Sequence, residues 1–487
     1  MPTVRCLALV ATFVAITVIP FESTIAGELQ AGAATSNITP RIGGDIVGGF
    51  APSPSKHVHD ELHARCLVLA DGDTKVALVV CDLLGFHRKV SDEARALIEK
   101  QSGIPASHVL ISATHTHSAQ SALTDDRMKF DQKLDEYQTF LVRRIADGVL
   151  RAVNNLRPAE LGVGTVEAPE HVFNRRWYMR PGTMPPNPFG TSDLVKMNPP
   201  GGSPNLVEPA GPTDPTVSFI SVRDKEGRTI GIYAAYSLHY VGHVGPAHVS
   251  ADYFGMFCDR VEKTLGVDAQ DPPPVALLAN GTSGDINNNN FRTPRPGKKP
   301  YEQMRFVADD VAKKVIGSLS NISYRSEVAL DARYRELEIN LRHPTSEELA
   351  WAKKTLEEKD PEALRNRTNL SKIYAERTMK LAEYPEKGNM PIQVVQIGDV
   401  CIGSLPCEVF CEIGLEFKRR SQSKPAFMVS IAHGYFGYLP TPRQHELGGY
   451  ETWIGTNRVE RKASEKMLDA LVEMSGELKR HSPGTSK

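Results

Sequence analysis

Four short apolar segments of the sequence are each followed by side chains that can hold a metal ion or move a proton. These side chains are His115 and His117, His239 and His243, Glu408, and Tyr435 and Tyr438. In open α/β sheets, ligands gather at the carboxyl ends of the strands, so we expect the four segments to converge. Histidine nitrogen and carboxylate oxygen together form a ligand set of catalytic zinc sites, which keep a position open for water. The alternative is exposed or hydrogen-bonded histidine, because a chain with 15 histidines makes chance pairs.

One residue separates His115 from His117, and in an extended chain side chains two positions apart share a face. One imidazole could then hold a metal while the other acts on a substrate. A rival group, His57, His59 and His63, also has metal-capable spacing, but it follows a proline-rich segment that we expect to be a surface loop. We predict no ligand role for His57 and His59, and a place at the rim of the site for His63.

The segment Gly281-Thr282-Ser283-Gly284-Asp285 invites comparison with serine hydrolases. It lacks the G-x-S-x-G spacing, and the Asn- and Pro-rich residues that follow do not form the helix of a nucleophile elbow. A phosphate-binding P-loop is excluded because Gly-Lys-Ser/Thr is missing. We predict a turn that shapes the pocket with backbone amides.

Strand and helix patterns alternate along the chain, which favours an α/β fold with layers of sheet and helix. Two apolar runs around a turn predict hairpins at Arg65 to Asp82 and at Pro391 to Leu405. Helical spacing of apolar residues predicts a helix over Leu134 to Leu156 and another from Ser91 to Gly103. Glycine commonly ends a helix, so Gly103 is the expected end of the second. Ten prolines between Pro181 and Pro215 exclude regular structure there, and that loop belongs either at a site mouth or on the surface.

Composition excludes several classes of protein. Lys and Arg number 57 and Asp and Glu 58, a net charge of −1, which gives no electrostatic reason to expect a nucleic-acid partner. The apolar stretch Cys6 to Pro20 follows Arg5 and precedes small residues, as in a cleavable export signal. We predict cleavage after Ala26 and a secreted or periplasmic protein, with an uncleaved anchor as the alternative. Six cysteines would remain, either in disulfides or as buried free thiols.

Several separated motifs resemble, in order, those of the neutral/alkaline non-lysosomal ceramidases, which are exported zinc amidohydrolases. They are AGAATSNITP from Ala31, ELHAR from Glu61, SATHTHS from Ser112, VFNRR from Val172, SADYFG from Ser250, LPCE from Leu405 and GYLPTPRQHELGGYE from Gly437. The resemblance implies four zinc ligands, His115, His239, Glu408 and Tyr438. It also implies three active-site residues, His117, Arg175 and Tyr450. The expected fold is a large mixed β-sheet core with surrounding helices.

The sequence departs from the family pattern in two places. Asn287 stands where the family has a serine that was assigned a catalytic role, which argues against a serine nucleophile and leaves zinc-activated water intact. The chain also stops soon after the tyrosine motif, so we expect one hydrolase domain over 27–487, with a helical insertion at 346–390 and no C-terminal immunoglobulin-like domain.

The resemblance implies a hydrolase of amide bonds in ceramide-like N-acyl lipids. His117 would take the proton of the attacking water, and Tyr450 and Arg175 would stabilise the oxyanion and position the substrate. The expected partner is a small-molecule or lipid substrate, reached through peripheral contact with a membrane. The alternatives are a catalytically silent exported binding protein and an esterase or deacylase of acylated sugars on the same scaffold.

Overall fold

The computed structural model describes residues 27–49, 52–72, 74–124, 127–129, 131–266, 269–360 and 370–481. The predicted export signal, 1–26, lies outside the described residues. Among the helices that are described, none is long and apolar enough to cross a bilayer.

A large mixed sheet forms the centre of the fold. Its strands are β1 (Leu29–Asn37), β2 (His63–Asp71), β3 (Thr74–Cys81), β4 (Val109–Ala113), β5 (Arg157–Glu167), β6 (Thr216–Asp224), β7 (Thr229–Tyr236), β8 (Val275–Asn280) and the short β9 (Tyr324–Arg325). They are ordered β8-β7-β6-β5-β1-β2-β3-β4, with β9 beside β5. The β3–β4 and β7–β8 pairs are parallel and the other pairs antiparallel. The predicted first hairpin is confirmed as β2–β3.

A second sheet packs against the first. Its strands are β10 (Leu330–Asn340), β11 (Lys387–Ile397), β12 (Val400–Ser404) and β13 (Ala426–Val429), in that order. The predicted hairpin around Gly398 is β11–β12, where this glycine has a φ of 57°, a left-handed conformation that suits glycine. Alternate side chains of both sheets, such as Leu67 and Val395, share one buried apolar cluster. This cluster joins the two sheets face to face.

Helices cover the outer faces of both sheets. They are α1 (Arg88–Ser102), α2 (Glu136–Asn154), α3 (Asp252–Thr264), α4 (Glu302–Ser318), α5 (Ser346–Glu357), α6 (Ser371–Leu381), α7 (Cys411–Arg420), α8 (Pro442–Leu447) and α9 (Ala463–His481). The first four pack on the large sheet, whereas α9 and α7 pack on the second. The result is a layered α/β fold, as predicted.

Local chemistry sets the helix ends. Gly103 ends α1 in a left-handed conformation, as predicted, but the helix begins at Arg88, before Ser91, because the His87 side chain caps it. A capping box of Asp135 and Gln138 fixes the start of α2.

Short strands complete the molecule. They are Asp45–Val47, Ser53–Pro54 and Ala119–Gln120; His57–Val58 with His248–Val249; Phe173–Asn174 with Ile286–Asn287; Arg176–Met179, Val195–Met197 and Leu206–Pro209; and Glu408–Val409 with Tyr438–Leu439. The prediction that the proline-rich loop has no regular structure was wrong at two points. Val195–Met197 and Leu206–Pro209 each pair with Arg176–Met179. The first contains no proline, and the second has its proline at the end of an edge strand, where proline is tolerated.

The cysteines of the described residues, Cys66, Cys81, Cys258, Cys401, Cys407 and Cys411, are buried free thiols. Cys66 and Cys81 lie on adjacent strands but out of register, since Cys66 faces Val79. Of the two readings of the cysteines, the structure supports buried thiols.

Candidate metal centre

His115 and His117 lie in the loop that follows β4, at the carboxyl edge of the large sheet. Their Nε2 atoms are 3.1 Å apart, so the two imidazoles meet as predicted. The reason differs from the prediction, because the chain here is not extended. His115 has a φ of 70°, a left-handed conformation that a side chain rarely adopts and that the surrounding structure must hold.

His239 and Glu408 reach the same point from two other elements. His239 follows β7, and Glu408 begins the short strand that pairs with Tyr438–Leu439. The Oε2 atom of Glu408 lies 3.3 Å from His115 Nε2 and 3.7 Å from His239 Nε2. The ligating atoms of His115, His117 and His239 all lie within 4.8 Å of one another.

Hydrogen bonds orient the two inner imidazoles. His115 Nδ1 donates to the Leu84 carbonyl at 2.6 Å, and His239 Nδ1 donates to the Ser283 carbonyl at 3.0 Å. Both Nε2 atoms therefore present lone pairs towards Glu408, the arrangement in which histidine binds a metal. The turn at Gly281 to Asp285 thus shapes the site through a carbonyl, whereas we predicted amides.

Two buried polar atoms at this point lack a hydrogen-bond partner among the described residues. They are His239 Nε2 and Glu408 Oε2, in residues that are 1% and 3% exposed. Buried acceptors left unsatisfied are costly, and a divalent cation beside them would satisfy both. The donor set of imidazole nitrogen and carboxylate oxygen therefore fits a metal such as zinc.

The electrostatics of the site favour the protonation states that metal binding requires. Burial, followed by the neighbouring His115 imidazole, lowers the pKa of both His117 and His239 well below the usual value. Burial alone would raise the pKa of the Glu408 carboxyl, but His115, His239 and Arg175 outweigh it and hold that pKa below its usual range. At neutral pH His117 and His239 are therefore neutral and Glu408 is a carboxylate, the forms that bind a metal.

Tyrosines surround Glu408. Sequence reasoning selected Tyr438 as a ligand, and its ring lines the cavity 5.7 Å from the ring of Tyr450. The phenol that contacts the carboxylate is Tyr435, which donates to Glu408 Oε1. The sequence offered Tyr435 alongside Tyr438, both after the same apolar strand, but the motif spacing pointed only to Tyr438.

Arg175 lies beneath the site. Its guanidinium is 5.3 Å from the centre of the Tyr438 ring and donates to Glu451 Oε1 at 2.9 Å and to the Gly284 carbonyl at 2.8 Å. Glu451 also accepts from Arg176 at 2.6 Å. The Arg175 side chain is 4% exposed and does not line the cavity.

A cavity of about 440 Å³ opens above the histidines. Its walls include His115, His117, Glu408, Tyr435, Tyr438 and Tyr450, together with Leu84, Leu123, Leu381, Arg127, Arg377, Lys380 and Arg458. His57, His59 and His63 do not line it, so the predicted rim position of His63 was wrong. A second metal-capable cluster, Glu170, His171 and Asp310, binds Lys314 instead, whose Nζ lies 2.7 and 3.1 Å from the two carboxylates.

Two solved structures with a similar fold are titled as ceramidases. A structure titled "Ceramidase complexed with C2" aligns with a TM-score of 0.69 and 17% identity, covering 94% of this chain and 77% of that one. The neutral ceramidase of Pseudomonas aeruginosa aligns with a TM-score of 0.65 and 18% identity, covering 94% and 76%. At these identities the likeness shows the fold. No curated protein matches this chain in sequence.

The sequence itself carries the family assignment. The family model described as neutral/alkaline non-lysosomal ceramidase, N-terminal, matches residues 29–295, which is more than half of the 487 residues. This stretch contains His115, His117, Arg175 and His239. The chain therefore belongs to the neutral/alkaline non-lysosomal ceramidase family, and its fold is a mixed α/β fold of the ceramidase type.

Proposed function

We propose that this member of the ceramidase family is an exported, zinc-dependent hydrolase of amide bonds in N-acyl lipids. The observation that carries the proposal is the convergence of His115, His239 and Glu408, with two buried acceptor atoms directed at one point. Family membership supports a hydrolase. The donor chemistry supports zinc over Mg²⁺ or Ca²⁺, which prefer oxygen ligands.

His115, His239, Glu408 and Tyr438 would hold the zinc. When bound there, the metal would supply a water with a pKa near neutrality and would polarise the scissile carbonyl. Tyr435 would hold the carboxylate in place through its hydroxyl group.

His117 is our candidate for proton transfer. Its ring stacks on Tyr240, with centroids 3.7 Å apart, and its Nε2 atom points at the ligand cluster while the ring lines the cavity. A neutral imidazole in this place can take a proton from the nucleophile and return it to the leaving amine.

Tyr450 and Arg175 complete the proposed site. Tyr450 lines the cavity, and its hydroxyl group would donate to the developing oxyanion. Because Arg175 is buried behind Tyr438, we propose that it positions that ring and adds positive charge to the site without touching the substrate.

Export rests on the sequence of residues 1–26, and cleavage after Ala26 stays a prediction. N-terminal sequencing of the protein recovered from its host would test it.

The decisive experiment combines metal analysis with hydrolysis of a panel of N-acyl lipids, including ceramides, and acylated sugars. We expect about one zinc per chain and amide hydrolysis, and we expect His115→Ala to lose both. His343→Ala, on an exposed histidine outside the cavity, is the matched control. Zinc without turnover of any compound would favour a binding protein, and full activity of His115→Ala would refute the metal assignment.

A further inference from the structure

Four cationic side chains line the cavity above the proposed zinc site. They are Arg127, Arg377, Lys380 and Arg458. The one carboxylate among the described residues that line the cavity is Glu408, which accepts a hydrogen bond from Tyr435 and is a proposed zinc ligand. Among the described residues that line the cavity, cationic side chains therefore outnumber carboxylates, and a bound divalent cation would add further positive charge.

Two of these cations have no carboxylate within ion-pair distance among the described residues. Arg127 lies with its guanidinium 4.4 Å from the centre of the Tyr435 ring, the same tyrosine that donates to Glu408. Arg458 is close enough to Arg127 that burial, followed by this neighbour, lowers its pKa to about 10. Asp125 and Asp126 precede Arg127 in the sequence and lie outside the described residues.

A protein that gathers like charges in a partly buried wall loses stability by doing so, unless an anion of the ligand compensates them. The guanidinium group is suited to this role, because its planar fork of donors matches carboxylate, sulfonate and phosphate oxygens. A ceramide carries no ionised group and would offer neither guanidinium group a charged partner.

We infer that the substrate of this site carries an anionic group, which Arg127 and Arg458 bind while the scissile amide lies at the proposed zinc site. The inference rests on the proposed function and specifies its substrate class, an anionic N-acyl compound. Leu84, Leu123 and Leu381, on the same walls, provide apolar surface for an alkyl chain.

The test compares matched anionic and neutral amides on the full-length zinc-loaded protein. N-dodecanoylglycine, whose carboxylate lies on the amine side of the amide, is compared with neutral N-dodecanoylglycinamide. N-dodecylsuccinamic acid, whose carboxylate lies on the acyl side, is compared with neutral N-dodecylsuccinamide. We expect kcat/KM for at least one anionic compound to exceed that of its neutral partner by about tenfold or more, the effect of one charge-assisted hydrogen bond. Which pair shows the preference identifies the side that bears the charge.

Variants of Arg127 and Arg458 test whether these two residues cause the preference for anionic compounds. In Arg127→Gln and Arg458→Gln we expect the anionic-to-neutral ratio to fall about tenfold, and Arg458→Lys should retain part of it because the charge remains. Arg333→Gln removes an exposed arginine of β10 outside the cavity and is the control. A ratio that does not change in Arg127→Gln and Arg458→Gln would overturn the inference.

A binding measurement separates this inference from the proposed function. Calorimetric titration of the same four compounds into chelator-treated protein needs no turnover. Tighter binding of an anionic compound, lost in the two glutamine variants, would support the inference even if no amide is hydrolysed. Equal binding of anionic and neutral partners would overturn it, whereas hydrolysis of the neutral amides would leave the proposed function standing.

Discussion

At the scale of single residues, the hydrogen bond from Tyr435 to Glu408 connects the proposed metal site to the cavity wall. Partners that orient a ligating group contribute to metal affinity, and their loss costs about 10- to 100-fold. We expect Tyr435→Phe to weaken zinc binding by that factor while the fold is retained, measured by competition with a chromogenic chelator. Tyr178→Phe, on a half-buried tyrosine outside the cavity, is the control. Unaltered zinc affinity in Tyr435→Phe would show that the carboxylate does not need this donor.

A second prediction about a single residue concerns His63, which does not line the cavity and titrates in an unusual range. Burial, followed by the Arg65 guanidinium, lowers the pKa of His63 to about 4. This folded-state pKa lies below the unfolded value of about 6.5, so protonation of His63 favours the unfolded chain. The contribution to stability is therefore present above pH 6.5 and is lost as the pH falls towards 4. We expect this residue to account for about 2 kcal/mol of lost unfolding free energy between pH 8 and pH 5.

Urea denaturation of wild type and His63→Gln at both pH values measures this contribution. The variant should lose less unfolding free energy on acidification than wild type does. An equal loss in the two proteins would contradict the assignment of His63 as an acid-sensitive group.

At the scale of elements, a buried network of ion pairs connects the segment around Glu451 to the segment that contains Arg175 and Arg176. Glu451, next to Tyr450, is fully buried and accepts from Arg175 and Arg176, which lie on either side of the start of the strand Arg176–Met179. Arg176 also donates to the Gln444 side chain of α8. The network holds the loop that carries Tyr450 beside Tyr438, so geometry at the site depends on it.

Glu451→Gln should therefore be costly. The substitution leaves two buried guanidinium groups without a compensating charge, for which a loss of about 3–5 kcal/mol is expected. Chemical denaturation measures it, with the exposed Glu446→Gln on α8 as the control. A difference below about 1 kcal/mol would show that water or another partner compensates the arginines.

At the scale of the whole molecule, the proposed ligands come from distant parts of the chain. His115 follows β4, at one edge of the large sheet, and His239 follows β7, next to the strand at the other edge. Glu408 follows β12 of the second sheet. A metal bound by all three would stabilise the folded state against an unfolded chain in which the ligands are scattered. We expect chelation to lower Tm and added zinc to restore it.

The expected gain in unfolding free energy follows from mass action and is about 2.7 kcal/mol when the free zinc concentration is 100 times the Kd. Thermal denaturation across a zinc titration measures it, and His115→Ala should show no such dependence. A wild-type Tm that is independent of zinc would contradict a site formed by the native fold.

The sequence alone was sufficient to predict much of the local structure. Apolar runs around Asp71-Gly72 and Gly398-Asp399 predicted both hairpins, and helical spacing predicted α2, because neighbouring residues determine these features. The resemblance to the ceramidase motifs also selected His115, His239 and Glu408, which the fold brings together. The layered α/β class followed from the alternation of strands and helices.

Only the tertiary structure decided which groups face one another. The positive φ of His115, the hydroxyl of Tyr435 on Glu408 and the burial of Arg175 behind Tyr438 all depend on segments far apart in the chain. The same holds for the cationic wall, since Arg127 and Arg458 are separated by more than half the sequence. Local pattern fixes the direction of a strand or helix, but the distance between two side chains is set by packing of whole layers.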